Sequence, residues 1–515
     1  MIDISPSDEA IVNEILKKYV PDCEVRVFGS RHKWTSKPYS DLDLAIVGNA
    51  KLDKKTLYAL QEALEDSELS FRVDVLDWHA ISDEFRAIIE QGYSVIQEKE
   101  TENKLPDGWG VKQLGDVINF NPTEKLPKGS VAKKIAMEKL QPYTRKITNY
   151  EIANFTGGSK FKNKDTLLAR ITPCLENGKT SYVDILEDNE IGFGSTEFII
   201  LREKSSITDS KFIYYLSISP DFRDKAIKSM TGSSGRQRVQ TDELMNHEMA
   251  IPPINEQKEI AAILSSLDDK IELNQQINKK LEEIAQAIFN EWFIDFNFPD
   301  ENGNPYRDSG GAMINSELGQ IPASWSVGKL GDYVDIVGGA TPSTKNEKFW
   351  NEGSISWSTP KDLSVNKDIF LKDTLKKITD DGLKEISSGL LPIKTLLLSS
   401  RAPIGYLAIS NINLAINQGY IAILPSSKYD TLFLYVWLKN NMDKVVAMAN
   451  GSTFQEISKK SFKMIDIVSY PVQLVQQYLD IISKFFEQIN LLEIEILNLQ
   501  DTRDYLLPKL MLCKI

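Results

Sequence analysis

Three carboxylates in the first eighty residues have the types and spacing for metal-assisted phosphoryl chemistry. The run Phe28-Gly29-Ser30-Arg31 is followed, nine residues on, by Asp41-Leu42-Asp43-Leu44. Asp74 lies in a further apolar run, Phe71–Leu76. Asp41 and Asp43 alternate along an expected strand, so both carboxylates point to one face. A neighbouring strand can place Asp74 beside them. Three clustered carboxylates repel unless a divalent cation sits among them, and an all-oxygen set selects Mg2+ or a similar hard ion. The Gly29-Ser30 turn offers backbone N–H groups and a hydroxyl to nucleotide phosphates. Together these are the parts of two-metal phosphoryl or nucleotidyl transfer.

The elements that must position these groups read as a small α/β domain over residues 1–98. Ser5-Pro6-Ser7-Asp8 has the form of a helix start, with Ser at the N-cap, Pro at N1 and Asp at N3. Ile11, Ile15 and Tyr19 then share one helical face. Glu24–Phe28, Leu42–Val47 and Phe71–Leu76 read as strands, with a helix over Lys54–Leu64. Glu98–Lys104 reads as a linker.

Everything after residue 104 is a duplication. Leu105-Pro106-Asp107-Gly108-Trp109 recurs as Ile321-Pro322-Ala323-Ser324-Trp325, and Thr166–Arg170 recurs as Thr395–Ser399 near Arg401. Thr231-Gly232-Ser233 recurs as Asn450-Gly451-Ser452, and Leu281–Phe289 as Leu499–Leu507. Each copy opens with a Gly/Ser/Thr-rich, mixed, mainly β domain: 105–250, then 305–470. Short strands are expected near Glu197–Leu201 and Tyr420–Leu424. Trp109 and Trp325 are expected to anchor the cores. Each β-rich domain is followed by a long helix, in 251–304 (which also holds a linker) and in 471–515. Ile260, Leu264, Leu267, Ile271, Ile277, Leu281, Ile284, Ile288 and Trp292 form a heptad-like stripe in the first. Leu474, Tyr478, Ile481, Phe485, Ile489, Leu492, Ile496, Leu499 and Leu506 form the second. Two such helices in one chain pair most simply as an antiparallel coiled coil.

The 515 residues carry a net charge of −13, which argues against a protein coated in basic surface. The charge is unevenly spread. Residues 1–104 hold 13 basic and 21 acidic side chains, and 251–304 hold 4 and 11. Residues 105–250 hold 21 and 19, and 305–470 hold 18 and 16, so only the two β-rich domains have a positive balance. The three cysteines, Cys23, Cys174 and Cys513, lie far apart, and there are three histidines. A disulfide framework and a His- or Cys-based metal site are therefore not expected, and a reducing cytoplasm fits. No signal peptide or membrane-spanning helix is expected.

The Gly-Ser-Arg turn with its Asp-x-Asp and third Asp resembles the minimal nucleotidyltransferases of the DNA polymerase β superfamily. The resemblance implies that Gly29, Ser30 and Arg31 bind the nucleotide and that Asp41, Asp43 and Asp74 bind metal as catalytic residues. It implies Mg2+ and a nucleoside triphosphate such as ATP, with a partner protein as a reasonable acceptor. The duplicated part, with its Pro-x-x-Trp starts, paired Gly-Ser loops and Pro252-Pro253-Ile254-Asn255-Glu256-Gln257 helix start, resembles the DNA specificity subunit of type I restriction–modification systems. The second copy keeps Pro471 but lacks the Glu-Gln pair. That resemblance implies two target-recognition domains joined by paired helices. It implies double-stranded DNA, methyltransferase subunits with S-adenosylmethionine and an ATP-driven motor-nuclease as partners. The specificity part itself would need no cofactor.

Arg suits guanine and Gln adenine, while Ser and Thr suit phosphates. The loop Gly232–Arg238 therefore supplies Ser233, Ser234, Arg236, Gln237 and Arg238 as DNA-contact candidates. Its counterpart supplies Ser452, Thr453 and Gln455, with Lys459, Lys460 and Arg401 nearby. Lys160, Lys162, Lys164, Arg170 and Lys179 form a second basic group. The leading expectation is a reader of a bipartite DNA target carrying a fused nucleotidyltransferase-like domain. The alternative makes nucleotidyl transfer to a protein partner the main activity and DNA binding a targeting device. Labelled ATP with Mg2+ separates the two.

Overall fold

The computed structural model describes residues 2–33, 40–69, 71–99, 105–233, 235–365, 368–401, 403–450 and 455–512. Ser234, Ser452, Thr453 and Cys513 lie outside them. The chain divides into two compact units, Met1–Gly110 and Val111–Ile515.

In the first unit, α1 (Pro6–Tyr19) starts where the Ser5 side chain accepts the Asp8 N–H at 3.1 Å. Next come β1 (Glu24–Phe28), the single turn α2 (Gly29–His32), β2 (Leu42–Val47), α3 (Lys54–Glu65), β3 (Val73–Asp77), α4 (Asp83–Glu90) and β4 (Ser94–Gln97). The sheet runs β3-β2-β1-β4. Its β1–β2 pair is antiparallel and its β2–β3 pair parallel. Alternation sends Val25, Val27, Leu42 and Leu44 into one core against Val12 and Leu16 of α1 and Leu60 and Leu64 of α3. Phe28 and Asp43, facing each other across the β1–β2 pair, are left on the opposite face. β3 begins two residues later than its apolar run suggests, although Arg72 O already accepts the Leu42 N–H at 2.8 Å.

The second unit shows the duplication in its hydrogen bonds. In the first head, Thr166–Ala169 pairs antiparallel with Phe198–Glu203. In the second, Leu396–Ser399 pairs antiparallel with Tyr420–Ile423. Each head has a second sheet with one parallel pair, Phe193 opposite Lys134 and Trp357 opposite Ala415. Leu114 N donates to His247 O at 2.9 Å, and Leu330 N to Ile465 O at 2.8 Å. Each head also carries a buried helix, Ser210–Ile218 and Thr431–Asn440, capped by Asp209 and Asp430. Trp109 and Trp325 are buried.

Two long helices, Ile254–Phe289 and Val472–Met511, join the heads. Their contacts run in opposite senses along the chain. Asp268 meets Arg503 at 2.8 Å, Asn274 meets Glu495 at 2.9 Å, and the Tyr478 hydroxyl donates to Ala285 O at 2.9 Å. The pair is therefore antiparallel. The expected stripe is right at Ile260, Leu264, Ile271, Leu474, Tyr478, Ile489, Leu492 and Ile496. It is wrong at Ile277, Ile284 and Ile481, which are exposed, while Ala285, Phe289, Ile482 and Phe486 are buried instead. The physical reason is that the helices pack on the heads as well as on each other. Phe289 and Tyr478 share one core with Phe433 of the second head, which turns the buried face by about one residue.

The helix starts explain the unequal motifs. Gln257 is buried; it accepts Asp209 N at 3.0 Å and donates to Ile207 O at 3.0 Å and Pro252 O at 2.9 Å. In the second copy the apolar Val475 is buried in the first turn instead, and the Tyr429 hydroxyl donates to Tyr470 O and accepts the Tyr470 N–H. Among the described residues no helix is long and apolar enough to cross a membrane.

Candidate functional site

The carboxylate site of the first unit sits where β1 ends. Phe28 lies opposite Asp43, and Asp43 lies opposite Asp74, so two carboxylates occupy neighbouring positions on adjacent strands. Asp41 lies just before β2 and is exposed. Gly29 has φ +76, and a Cβ built on it would fall 2.2 Å from Asp43 Oδ2. Only glycine lets the turn lie against this carboxylate. Ser30 follows in the same turn. Burial, then the Asp74 and Asp41 charges, raise the pKa of Asp43. A divalent cation would remove both penalties, so this donor set fits a hard ion. Among the described residues no three His, Cys, Asp or Glu side chains are already closed into a metal cage. Asp74 instead pairs with Arg72 at 3.0 Å.

Arg31 is placed otherwise than expected. It is buried, donates Nε and Nη2 to Ser40 O at 3.0 and 2.8 Å and Nη1 to Asp3 O at 2.7 Å, and covers the Phe71 ring. Its donors are directed at the protein's own backbone, and it holds the residue before Asp41 in place.

The raised Asp43 gives a signed pH dependence. In the folded state it keeps its proton above the pH at which the unfolded chain loses it. Its contribution to stability is therefore present at low pH and lost as pH rises through the folded-state pKa. Melting the full chain without cations should show the first unit losing stability over that window. Added Mg2+ should restore more at pH 7.5 than at pH 5, and Asp43→Asn should flatten both trends.

In the second unit the residues that bracket the two Gly-Ser loops occupy matching places. Thr231 and Arg238 pair across the first loop, and Asn450 and Glu456 across the second. Arg238 also bridges Ile171, as Glu456 bridges Arg401. Hydrogen bonds from Arg170 N to Glu197 O and from Ser400 N to Gly419 O align these segments. Ser399, the expected counterpart of Arg170, is thus one residue early. The exposed loop candidates are Ser233, Arg236, Gln237 and Gln455, with Lys459 and Lys460 beyond. Lys162 and Lys164 are exposed too.

Five other basic candidates have partners within the protein. Lys160 donates to Glu124 O and Lys179 to Met137 O. Arg238 is bidentate on Glu197, and Arg401 stands 3.9 Å from Glu456. Arg170 donates to Val239 O at 3.4 Å, while its Nε is buried without a partner among the described residues. The lysine and arginine count alone could not separate these from the exposed ones, because pairing depends on carboxylates and carbonyls distant in sequence.

Sequence reading missed the polar groups that hold the heads on the helices. Tyr215 donates to Asp268 at 2.7 Å, and Arg145 reaches Glu272 at 2.9 Å. Tyr435 donates to Glu282 at 2.8 Å. Glu493 accepts the Ile369 N–H at 2.7 Å and pairs with Lys372. The available signal was Asp268 and Arg503 interrupting otherwise apolar helix faces.

Comparison with known proteins bears on both units. A family described as type I restriction modification DNA specificity domain matches residues 106–283 and 322–500. One described as polymerase beta, nucleotidyltransferase matches 11–102. The type I restriction enzyme HindI specificity subunit of Haemophilus influenzae is 25% identical over 461 residues, 78% of this chain and 98% of that one. The MjaIX specificity subunit of Methanocaldococcus jannaschii is 36% identical over 34% of this chain, a stretch that covers 40% of its own length. A Haemophilus influenzae protein described as probable protein adenylyltransferase MntA is 49% identical over 105 residues, 20% of this chain and 92% of that one.

Proposed function

The chain belongs to the type I restriction modification DNA specificity family, joined at its N-terminus to a polymerase β nucleotidyltransferase domain, and from that premise we propose that its second unit reads a bipartite sequence in double-stranded DNA. Methyltransferase subunits using S-adenosylmethionine and an ATP-driven motor-nuclease would act at the site so chosen. The observation that carries this reading is the antiparallel helix pair with one head hitched along it by Asp268 and the other by Glu282. About 21 Å of helix rise separates those two points. A stiff spacer between two equivalent heads suits two half-sites separated by an unread gap.

Each head would contact DNA through its Gly-Ser loop. Ser233, Arg236 and Gln237 would serve the first half-site, and Gln455, Lys459 and Lys460 the second, with Lys162 and Lys164 toward phosphates. Genome-wide methylation mapping in a host carrying the chain and its partner subunits tests the reading. A bipartite methylated motif is expected, and its absence sinks the proposal. Arg236→Ala and Gln237→Ala should each relax one base position by about 1–3 kcal/mol, in the first half-site only. Changes spread over both half-sites would show that the loop supports the fold rather than reads bases.

For the first unit we propose nucleotidyl transfer from ATP to a protein acceptor, in the cytoplasm where DNA and partners are found. Gly29 and Ser30 would hold phosphates, and Asp41, Asp43 and Asp74 would hold Mg2+. Bound cations there would neutralise phosphate charge and polarise the reacting phosphate. Arg31 would position Ser40, and through it Asp41.

A further inference from the structure

Glu197 stands at the start of a central strand of the first head and faces the closing end of the Gly-Ser loop. Arg238 donates to it three times: Nε at 3.1 and 2.9 Å to its two oxygens, and Nη2 at 2.7 Å. The loop does not need this pair for its backbone path. Thr231 and Arg238 exchange N–H···O bonds at 3.0 and 2.9 Å, Thr172 N donates to Gln237 O, and Val239 N donates to Arg170 O. What Glu197 fixes is the direction of the Arg238 side chain. The Arg238 guanidinium holds the Glu197 carboxyl below its ordinary range, so the pair stays ionised at neutral pH.

The second head also sets an opposite charge beside the closing residue, but from a different position, since Gly419 stands where Glu197 does. Glu456 occupies the place of Arg238, and Arg401 that of Ile171. Arg401 Nη1 lies 3.9 Å from Glu456 Oε2. In both copies the residue that closes the loop has an opposite charge beside it, but only Arg238 is held by hydrogen bonds. Such a device has a use at a DNA surface. A free arginine beside phosphates grips every sequence alike and carries no base information.

We propose that Glu197 is a positioning residue for recognition. It withholds Arg238 from DNA phosphates, so the first head's grip depends on Arg236 and Gln237 at the loop tip. The inference rests on the DNA-reading proposal above.

The test uses the full chain assembled with its methyltransferase subunits. Two duplexes are titrated across a salt series, one carrying the motif given by methylation mapping and one scrambled. Glu197→Gln frees Arg238. It should tighten scrambled-duplex binding about threefold to tenfold and steepen the log–log salt slope by about one, since each added phosphate contact contributes about −0.9. Preference for the motif should fall. Glu197→Gln combined with Arg238→Gln should return the slope to the wild-type value. Arg238→Gln alone should leave it unchanged. A slope that flattens by about one in Arg238→Gln shows Arg238 already on a phosphate and overturns the proposal. A well-folded Glu197→Gln with unchanged slope overturns it as well. If Glu197→Gln does not fold, Arg238→Gln alone decides. Wild-type protein without preference for the motif would instead sink the DNA-reading proposal.

Discussion

Replacing Asp41 and Asp43 together by alanine should abolish label transfer from ATP by the full chain with Mg2+, a loss of at least about a thousandfold. Asp43 lies against the turn at Gly29, and its charge is the one the fold itself disfavours, with Asp41 contributing to that. Removing them deletes the donors that make cation binding favourable. The same variant should keep full sequence-specific methylation, because both heads and both helices lie in the second unit. Transfer is read by labelled nucleotide on partner proteins, and methylation by mapping. Retained transfer would remove the carboxylates from the chemistry. Lost methylation would show that the first unit is required for DNA recognition, and would favour a chain whose two activities work as one.

Asp268→Ala should destabilise the second unit by about 3–5 kcal/mol. Asp268 is buried between the long helices and accepts from Arg503 at 2.8 Å and from the Tyr215 hydroxyl at 2.7 Å. Burial works against the charge on Arg503, and the Asp268 and Asp504 carboxylates together more than reverse that, so its pKa is raised. Without Asp268 the Tyr215 hydroxyl loses its acceptor and the buried Arg503 guanidinium keeps only the exposed Asp504. The double variant Asp268→Leu with Arg503→Met removes both charges and should cost far less, because desolvation of the pair offsets much of its attraction. Denaturant melts of the three proteins give the comparison. A single variant as stable as the wild type would show that water reaches this site.

The convergence of the candidate carboxylates was legible because their signal is local. A Gly-Ser turn, alternating aspartates and a third Asp in an apolar run need only strand periodicity to converge, and β2 and β3 pair with Asp43 opposite Asp74. The duplication was legible for a related reason. Equal spacing in sequence becomes equal hydrogen bonding, as at Leu114 and Leu330. The anchoring contacts of Arg31 were not legible because its partners, Asp3 O and Ser40 O, are backbone atoms, and carbonyls carry no sequence signature.

By itself, then, the sequence determined the duplication, the two long helices and the meeting of Asp43 with Asp74, since periodicity and spacing carry those signals. The tertiary structure alone decided which charges are free. Arg236 and Arg238 are two residues apart and chemically alike, yet one is exposed and the other is held by Glu197, forty-one residues away. It likewise decided which helix face is buried, moving the seam to Phe289 and Phe486 because a head packs there. Ion pairs and packing are settled by distance in space, and only the folded chain fixes those distances.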